Sequence, residues 1–395
     1  MEGSSSGTAC SGAMGPRPPM TSILRSRQLR DADHLMIAAM LAIAVLGMFT
    51  LRTIPGANAQ RQTIIFIIGL VFFMAAAYID YGLLRYAWQP MYWATLAALV
   101  IVLVFGEVIF GAKGFISLFG LQFQPSEFAK VVLIVCLAVY CADIGMRIRD
   151  GLEFVFCFLS LAFPPIFLVL AGRDLGTTLV LVAIWLGVMY FAGANLWHIL
   201  AFLVAGMVLT KLIWDSGEIP DYMKRRIMAW LTPERFLTAT DEDPMQTGLQ
   251  YLRARQAIGA GGVWGQGYGR GLLTQTGNVA AQETDMTFSA LAEEMGFVFS
   301  AGLVLLYGVV IWRGLNTIAQ TQHDLGRYIA AGVVSYLAFE LVVNVGMNIG
   351  LLPITGIPLP LFSRGGSNLI TTMIALGLLV NVHLRRRRIT FEAAT

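Results

Sequence analysis

The sequence predicts an all-α polytopic membrane protein with about ten transmembrane helices. Both termini fall on the cytoplasmic side, and a long extracytoplasmic loop joins helices seven and eight. Three observations predict this. Of 395 residues, 57% are hydrophobic and only 13% are charged, against about 25% charged in soluble domains. The apolar residues come in unbroken blocks rather than amphipathic stripes, each near the ~20 residues that cross ~30 Å of hydrocarbon as helix. Arginines recur at alternate block ends. Soluble enzymes, disulfide scaffolds and disordered regulators are excluded.

Residues 1–33 are rich in Gly, Ser and Pro and lack the apolar core of a signal peptide, so they read as a flexible cytoplasmic tail. The apolar blocks then run near 35–53, 62–79, 91–109, 124–142, 152–171, 175–193, 196–214, 285–312, 327–350 and 366–384. An even number places both ends on one side. Arg25, Arg27, Arg30, Arg85, Arg147, Arg149, Arg313, Arg327 and Arg385 to Arg388 then share a face, and the positive-inside rule makes it cytoplasmic. The opposite short loops hold few basic residues: Arg52, Arg61, Lys113, Arg173 and Arg364. The membrane domain is 34–384, and 385–395 is a basic cytoplasmic tail.

The long loop, 215–284, is expected to carry function, because structureless connections of this length are uncommon in compact domains. It opens with Tyr222-Met-Lys-Arg-Arg-Ile-Met-Ala-Trp-Leu. Lys224, Ile227 and Leu231 share a helical stripe, and Trp230 suits a membrane interface. A second helix is expected from Pro244 to Ile258. The run GAGGVWGQGYGRG follows, with seven glycines between Gly259 and Gly271. It has neither a preceding strand nor a following GK[ST], so a nucleotide cradle is rejected. A mobile outer loop lying on a substrate or partner is expected instead.

Ionisable residues inside a membrane are functional-site candidates. Glu107 ends the third span. Glu127 and Lys130 open the fourth, Asp174 the sixth and Asp285 the eighth, with Glu293 and Glu294 two turns deeper and Glu340 in the ninth. Plain alternatives exist. Glu127 and Asp174 suit helix N-termini as caps, and Glu293 and Glu294 suit polar glue between helices. The coincidence of Glu127, Lys130, Asp174 and Asp285 at one outer depth, beneath a basic loop, nevertheless describes an outward-facing polar cavity. The cysteines (Cys10, Cys136, Cys141, Cys157) and histidines (His34, His198, His323, His383) are scattered without HxxxH or CxxC spacing. A zinc site or thiol nucleophile is therefore not supported. A net charge of +3 is too weak to argue for nucleic acid. Glycosyl or phosphoryl transfer on a lipid-linked substrate, or anion transport, is compatible with these residues, and the pattern does not choose between them.

Specific strings narrow the field. Asn344-Val-Gly-Met-Asn-Ile-Gly-Leu-Leu-Pro-Ile-Thr-Gly-Ile-Pro-Leu-Pro-Leu-Phe-Ser-Arg-Gly-Gly-Ser-Asn closely resembles the C-terminal signature of the SEDS (shape, elongation, division and sporulation) family. Gly111-Ala-Lys-Gly-Phe-Ile, Gln124-Pro-Ser-Glu-Phe-Ala-Lys, Asp174-Leu-Gly-Thr, Thr284-Asp285 with Phe288, and Ala292-Glu-Glu-Met-Gly match further blocks, in order, from about residue 35 to 384. The Thr-Gly-Ile-Pro-Leu-Pro form is closer to the elongation branch than to the division branch.

The resemblance implies ten spans and polymerisation of lipid II at the outer face of the bacterial cytoplasmic (inner) membrane. It implies partnership with a class B penicillin-binding protein, the cross-linking transpeptidase, within the elongation machinery. The family's essential aspartate falls on Asp285, the expected general base. Glu127, Lys130, Asp174, Arg226, Thr284 and Ser363 are the expected substrate-binding residues. Lys130, Arg226, Arg253, Arg255, Arg270 and Arg364 are candidates for holding pyrophosphate, the loop arginines also suiting anionic lipid headgroups. No cofactor is firmly implied; the substrate's charge leaves room for a divalent cation such as Mg2+. Small residues of helices eight and nine, Gly302, Gly308 and Ala330, are expected to face the partner's single span.

This chain departs from the family pattern at three places. Ala280-Ala-Gln-Glu-Thr-Asp stands where Pro-Glu-x-His-Thr-Asp is usual, Arg364 replaces a Tyr, and Gly172-Arg173 replaces Gln-Pro. The alternative function is a lipid II flippase; against it, no internal transporter-like repeat is visible.

Overall fold

A computed structural model describes residues 33–109, 112–118, 121–217, 221–233 and 242–386. The expected N-terminal tail, most of the C-terminal tail and parts of the long loop lie outside the described residues. Among the described residues, ten helices are long and apolar enough to cross a membrane. The spans are His34–Thr53, Ala59–Tyr78, Tyr81–Phe105, Pro125–Arg149, Gly151–Ala171, Leu175–Ala192, Leu196–Ser216, Thr287–Gln320, Asp324–Ile349 and Gly366–Arg385.

Local chemistry sets several starts. Asp33, Asn58, Asp174 and Asn195 each accept a backbone N–H of the helix that follows, at 3.0–3.1 Å. Pro125 occupies the first turn of the fourth span. The third span begins earlier than expected because Pro90 is accommodated inside it. The fifth contains a π-helical turn, Phe158–Ala162, just before Pro164 and Pro165, where missing N–H donors demand a local adjustment.

The tenth span is the centre, with 83% of its apolar window buried, whereas the seventh is peripheral at 6%. Glycines allow close crossings: a Cβ at Gly377 would lie 2.8 Å from Ala76 Cβ, and one at Gly332 would lie 2.8 Å from the Ile134 side chain. Ala330, expected to face a partner, is fully buried. Gly302 and Gly308 have open space beside them.

The sequence did not suggest strands. A three-stranded antiparallel sheet, β1 (Glu107–Ile109), β2 (Ala112–Leu118) and β3 (Leu121–Phe123), links the third and fourth spans. Glu107, expected to end the third span, instead pairs in β1 with Phe115 of β2. The helix stops at Gly106, before it. The Lys113 N–H donates to the Gly172 carbonyl (2.8 Å), so the sheet leans on the start of the sixth span.

The eighth span is broken. At Gly296 the backbone takes φ 75° and ψ −171°, a region open essentially to glycine alone. The glycine run fills this break. Gln266 and Gly267 N–H donate to the carbonyls of Glu293 and Glu294 (2.9 Å each), and Phe297 and Val298 N–H donate to those of Gly262 and Val263 (2.9 and 3.2 Å). The expected mobile loop is therefore a docked plug. Its glycines permit backbone-to-backbone approach, which the sequence pattern alone did not reveal.

Two helices of the loop, Asp221–Leu231 and Glu242–Gly261, are also tied down. Trp230 Nε1–H donates to the Gly350 carbonyl (3.2 Å) and the Tyr251 hydroxyl to that of Leu352 (3.2 Å). Trp230 is thus tied to the protein. Tyr251, Ala254, Ala257, Val279, Met286 and Ile354 form a small separate core beneath these helices.

Gly296→Ala would place a Cβ 2.6 Å from the Val263 carbonyl oxygen and add ~1–3 kcal/mol of backbone strain. The thermal unfolding midpoint of the purified variant in detergent should fall clearly below the parent's. An unchanged midpoint would show that the plug is not a packed element.

Candidate active site

The even-numbered spans all start at one end of the bundle, and a cavity of about 1070 Å³ lies there. The opposite end is tied by ion pairs: Arg313 with Asp33 (2.6 Å), Arg385 with Asp80 (3.9 Å), and Arg85 with Asp143. The cavity wall includes Glu127, Asp174, Arg226, Thr284 and Asp285 from the expected set. Arg61, Arg173 and Arg225 line it as well. Of the other pyrophosphate candidates only Arg364 does so. Arg253 donates to the Asn278 carbonyl (2.9 Å), Arg255 packs on Gly350 and Arg270 on Gly267, all away from the wall.

Asp285 sits in a turn, not on the helix. Met286 is the N-cap position and the helix begins at Thr287. Ala281, at φ 54°, presents its carbonyl to the N–H groups of Thr284, Asp285 and Met286, each at 3.1 Å. The Asp285 carbonyl accepts from the side-chain amides of Asn344 and Asn348, both at 3.0 Å. Asn344 also donates to the Ile357 carbonyl (2.7 Å), and Ser289 donates to Asn348 Oδ1 (2.6 Å). Both asparagines are fully buried on the ninth span. Their i, i+4 spacing in the signature string was the available clue to this support.

The side chain of Asp285 faces the cavity. Burial pushes its carboxyl up to about 6, although Arg226 and a hydrogen bond with Thr284 act the other way. A Cβ at Gly356 would lie 3.6 Å from Asp285 Oδ2 and 4.0 Å from Arg226 Nη1, so both side chains border this glycine. Arg226 is held over this point by a long contact to the Thr355 carbonyl (3.4 Å).

Asp174 caps the sixth span through Thr177 and also accepts from the Gln124 amide (3.1 Å). Burial raises its carboxyl too, opposed by the Thr177 hydrogen bonds. Among the described residues, the non-glycine positions with positive φ are Arg173, Ala281 and Leu361. Each lies in a segment that forms or supports the cavity, where strained backbone commonly aims functional groups.

Two expected binding residues are reassigned. Lys130 does not line the wall; it is 1% exposed and bridges Glu127 (2.7 Å) and Glu340 (2.8 Å). It also sits 4.9 Å above the Tyr336 ring, and Asn368 donates to Glu127 (3.0 Å). Its charge is already balanced, so it is a structural keystone under the cavity floor and not a phosphate holder. Ser363 is buried, and its hydroxyl accepts the Leu359 N–H (3.0 Å), shaping the turn before the tenth span. Glu293 accepts from the Leu273 and Thr274 N–H groups and the Thr274 hydroxyl at 2.6–2.9 Å. Glu294 accepts from Gln275 (3.1 Å). Glu293 thus holds the long loop, and Glu294 also hydrogen-bonds Thr53 at the end of the first span, so it joins the loop to a neighbouring helix as expected. Among the described residues, no group of three His, Cys, Asp or Glu side chains converges as metal ligands.

The FtsW/RodA/SpoVE family of cell cycle proteins matches residues 29–388. The chain belongs to this family, the SEDS family. It is 32% identical to the peptidoglycan glycosyltransferase MrdB of Escherichia coli K12 over 369 residues, covering 91% of this chain and 95% of that protein. It is 30% identical to the stage V sporulation protein E of Bacillus subtilis over 328 residues, 82% of this chain and 86% of that one. Among solved structures, a chain of a peptidoglycan synthase complex, described for its coordination of polymerization and crosslinking, superposes with a TM-score of 0.75. It is 29% identical and covers 90% of this chain and 99% of its own. The rod shape determining protein RodA of Thermus thermophilus gives 0.66 at 28% identity, covering 90% and 98%.

Two of the positions where this SEDS chain departs from the family pattern meet one another. Arg364 forms an ion pair with Glu283, and its backbone N–H donates to the Glu283 carbonyl at 2.8 Å.

Lys130→Ala should unfold the protein, not merely slow it. It leaves two buried carboxylates uncompensated, a change of ~3–5 kcal/mol. The yield of monodisperse protein and its unfolding midpoint should both drop, while the triple change Glu127→Gln, Lys130→Met, Glu340→Gln should retain folded protein. A parental midpoint for Lys130→Ala would return that residue to the list of substrate contacts.

Proposed function

We propose that this SEDS protein polymerises lipid II into glycan strands during cell-wall elongation, with Asp285 as general base. The observation that carries the reading is a carboxylate raised by burial, facing a large polar cavity, with arginines across from it. In the proposed step, Asp285 takes the proton from the 4-hydroxyl of the acceptor's terminal GlcNAc. That oxygen bonds to C1 of the donor's MurNAc while the bond from C1 to the phosphate oxygen breaks. Undecaprenyl pyrophosphate leaves and the anomeric centre inverts, in a single displacement that needs one base and no covalent intermediate. The proton passes from Asp285 to water.

Arg225 and Arg226, on the loop helix over the cavity, are assigned to the pyrophosphate, where fixed cations offset the charge that builds on the leaving group. Asp174, held by Thr177 and Gln124, is assigned to the sugar side of the cavity, and Thr284 to orienting Asp285.

The topology follows the arginine distribution. The tails 1–33 and 385–395 are placed in the cytoplasm, and the 215–284 loop and the cavity on the outer face of the inner membrane. The open side of the eighth span, at Gly302 and Gly308, is assigned to the single span of a class B penicillin-binding protein. The relative solved within a synthase complex supports such a partner. The flippase alternative is disfavoured by the gathering of site charges at one end of the bundle.

Asp285→Asn keeps volume and backbone contacts but cannot accept a proton at neutral pH. Polymer formation from labelled lipid II, in detergent with the partner present, should fall by about 10²–10⁴, with lipid II binding retained. No translocation is needed in that assay. A near-parental rate would remove Asp285 as base; a parent protein inactive alongside its partner would favour transport.

The acid limb of the rate profile offers an independent check. A base must be ionised, so kcat should fall as pH drops through about 6 and level off above it. A profile flat from pH ~5 to ~8 would contradict the assignment.

A further inference from the structure

The turn that carries Asp285 is held from two sides. On one side the buried amides of Asn344 and Asn348 grip the Asp285 carbonyl. On the other, two residues upstream, Glu283 is gripped twice by Arg364, through its carbonyl and its carboxylate. Arg364 is 81 residues away in sequence, in the segment just before the tenth span. That segment is itself rigid: Leu361 has φ 65°, the Ser363 N–H and hydroxyl both bond Leu359, and Gln62 of the second span reaches the Ser363 carbonyl (3.4 Å). Between the two grips only Thr284 and the Asp285 side-chain torsions remain to set where the carboxylate points.

We propose that the Glu283–Arg364 pair is a positioning device that fixes the Asp285 carboxylate against the reacting hydroxyl. The inference rests on Asp285 being the base, as proposed above. Both side chains line the cavity and are about one-third exposed (33% and 32%). At that exposure an ion pair adds little stability, so its value lies in geometry. The guanidinium is committed to Glu283 and does not serve as a phosphate contact. Misplacing a reacting group by ~1 Å costs up to about 10²-fold in rate.

The test uses the full-length protein with its transpeptidase partner and labelled lipid II, comparing Glu283→Gln, Arg364→Gln, the double variant, and the reciprocal swap Glu283→Arg with Arg364→Glu. Each single change should lower kcat by ~10- to 100-fold with KM and unfolding midpoint unchanged. The double should be no worse than the worse single, and the swap should recover most of the rate. Parental kcat in both singles overturns the proposal. So does a raised KM confined to Arg364→Gln, which would make Arg364 a substrate contact. So does a fall in unfolding midpoint that tracks activity without rescue by the swap, which would make the pair merely structural. Asp285→Asn assayed alongside separates the two readings. Activity in that variant removes the base itself, whereas its inactivity beside parental pair variants removes only the positioning role.

Discussion

The architecture depends on how the broken eighth span satisfies its backbone. Inside a bilayer each unpaired N–H or C=O is costly, and irregular backbone survives only where protein covers it. The break at Gly296 is covered by the glycine run of the long loop, which returns from outside and pairs with residues on both sides of the break. This one interlock fixes three things together. It angles the segment Thr287–Met295, it brings Glu293 and Glu294 against the loop's short helical turn Leu272–Gln275, and it seats the Asp285 turn over the cavity. Glycines occur here because the chains approach backbone to backbone; a Cβ at Gly261 would lie 2.8 Å from the Ala292 carbonyl carbon.

Beneath the cavity lies a second constraint of a different kind. Glu127, Lys130 and Glu340 bring together three charges on two helices, all nearly inaccessible. Such groups are weak sources of net stability, because desolvation offsets most of the attraction. Their geometric demand is strong, since each member fails without the others. The fourth and ninth spans are thereby held in one register, and Asn368 brings in the tenth. The floor is rigid and charged while the wall above it keeps its arginines and its two raised carboxyls for a ligand. Positioning chemistry and cavity chemistry use similar residues a few ångströms apart.

The family resemblance singled out Asp285, and the structure places that residue at the cavity. The family match extends over nearly the whole chain. Glu283 and Arg364, two positions that the sequence reading set apart from the family pattern, bond to each other. The turn keeps a partner on each side, and the aspartate keeps its place.

Sequence alone supplied the spans and the family, together with the expectation of which side the termini lie on and of an aspartate at the site. Those properties are carried by runs of ~20 apolar residues, by charge bias at their ends and by an ordered string of motifs, all local along the chain. Glu127, Asp174 and Asp285 were legible because ionisable residues at span ends are few, Arg226 because the loop is basic, and Thr284 from the family resemblance. Tertiary structure alone decided which of them face the cavity. Lys130 and Ser363 turned inward, Arg225 joined the wall, Glu107 left the third helix for a strand, and the glycine run became a plug. Partners distant in the chain decide the larger cases, Glu340 for Lys130 and the 293–298 segment for the glycines, while Glu107 is settled by strand pairing with Phe115 nearby. Whether a buried charge is a binding group or a support is set by what lies across from it, and no periodicity in one segment encodes that.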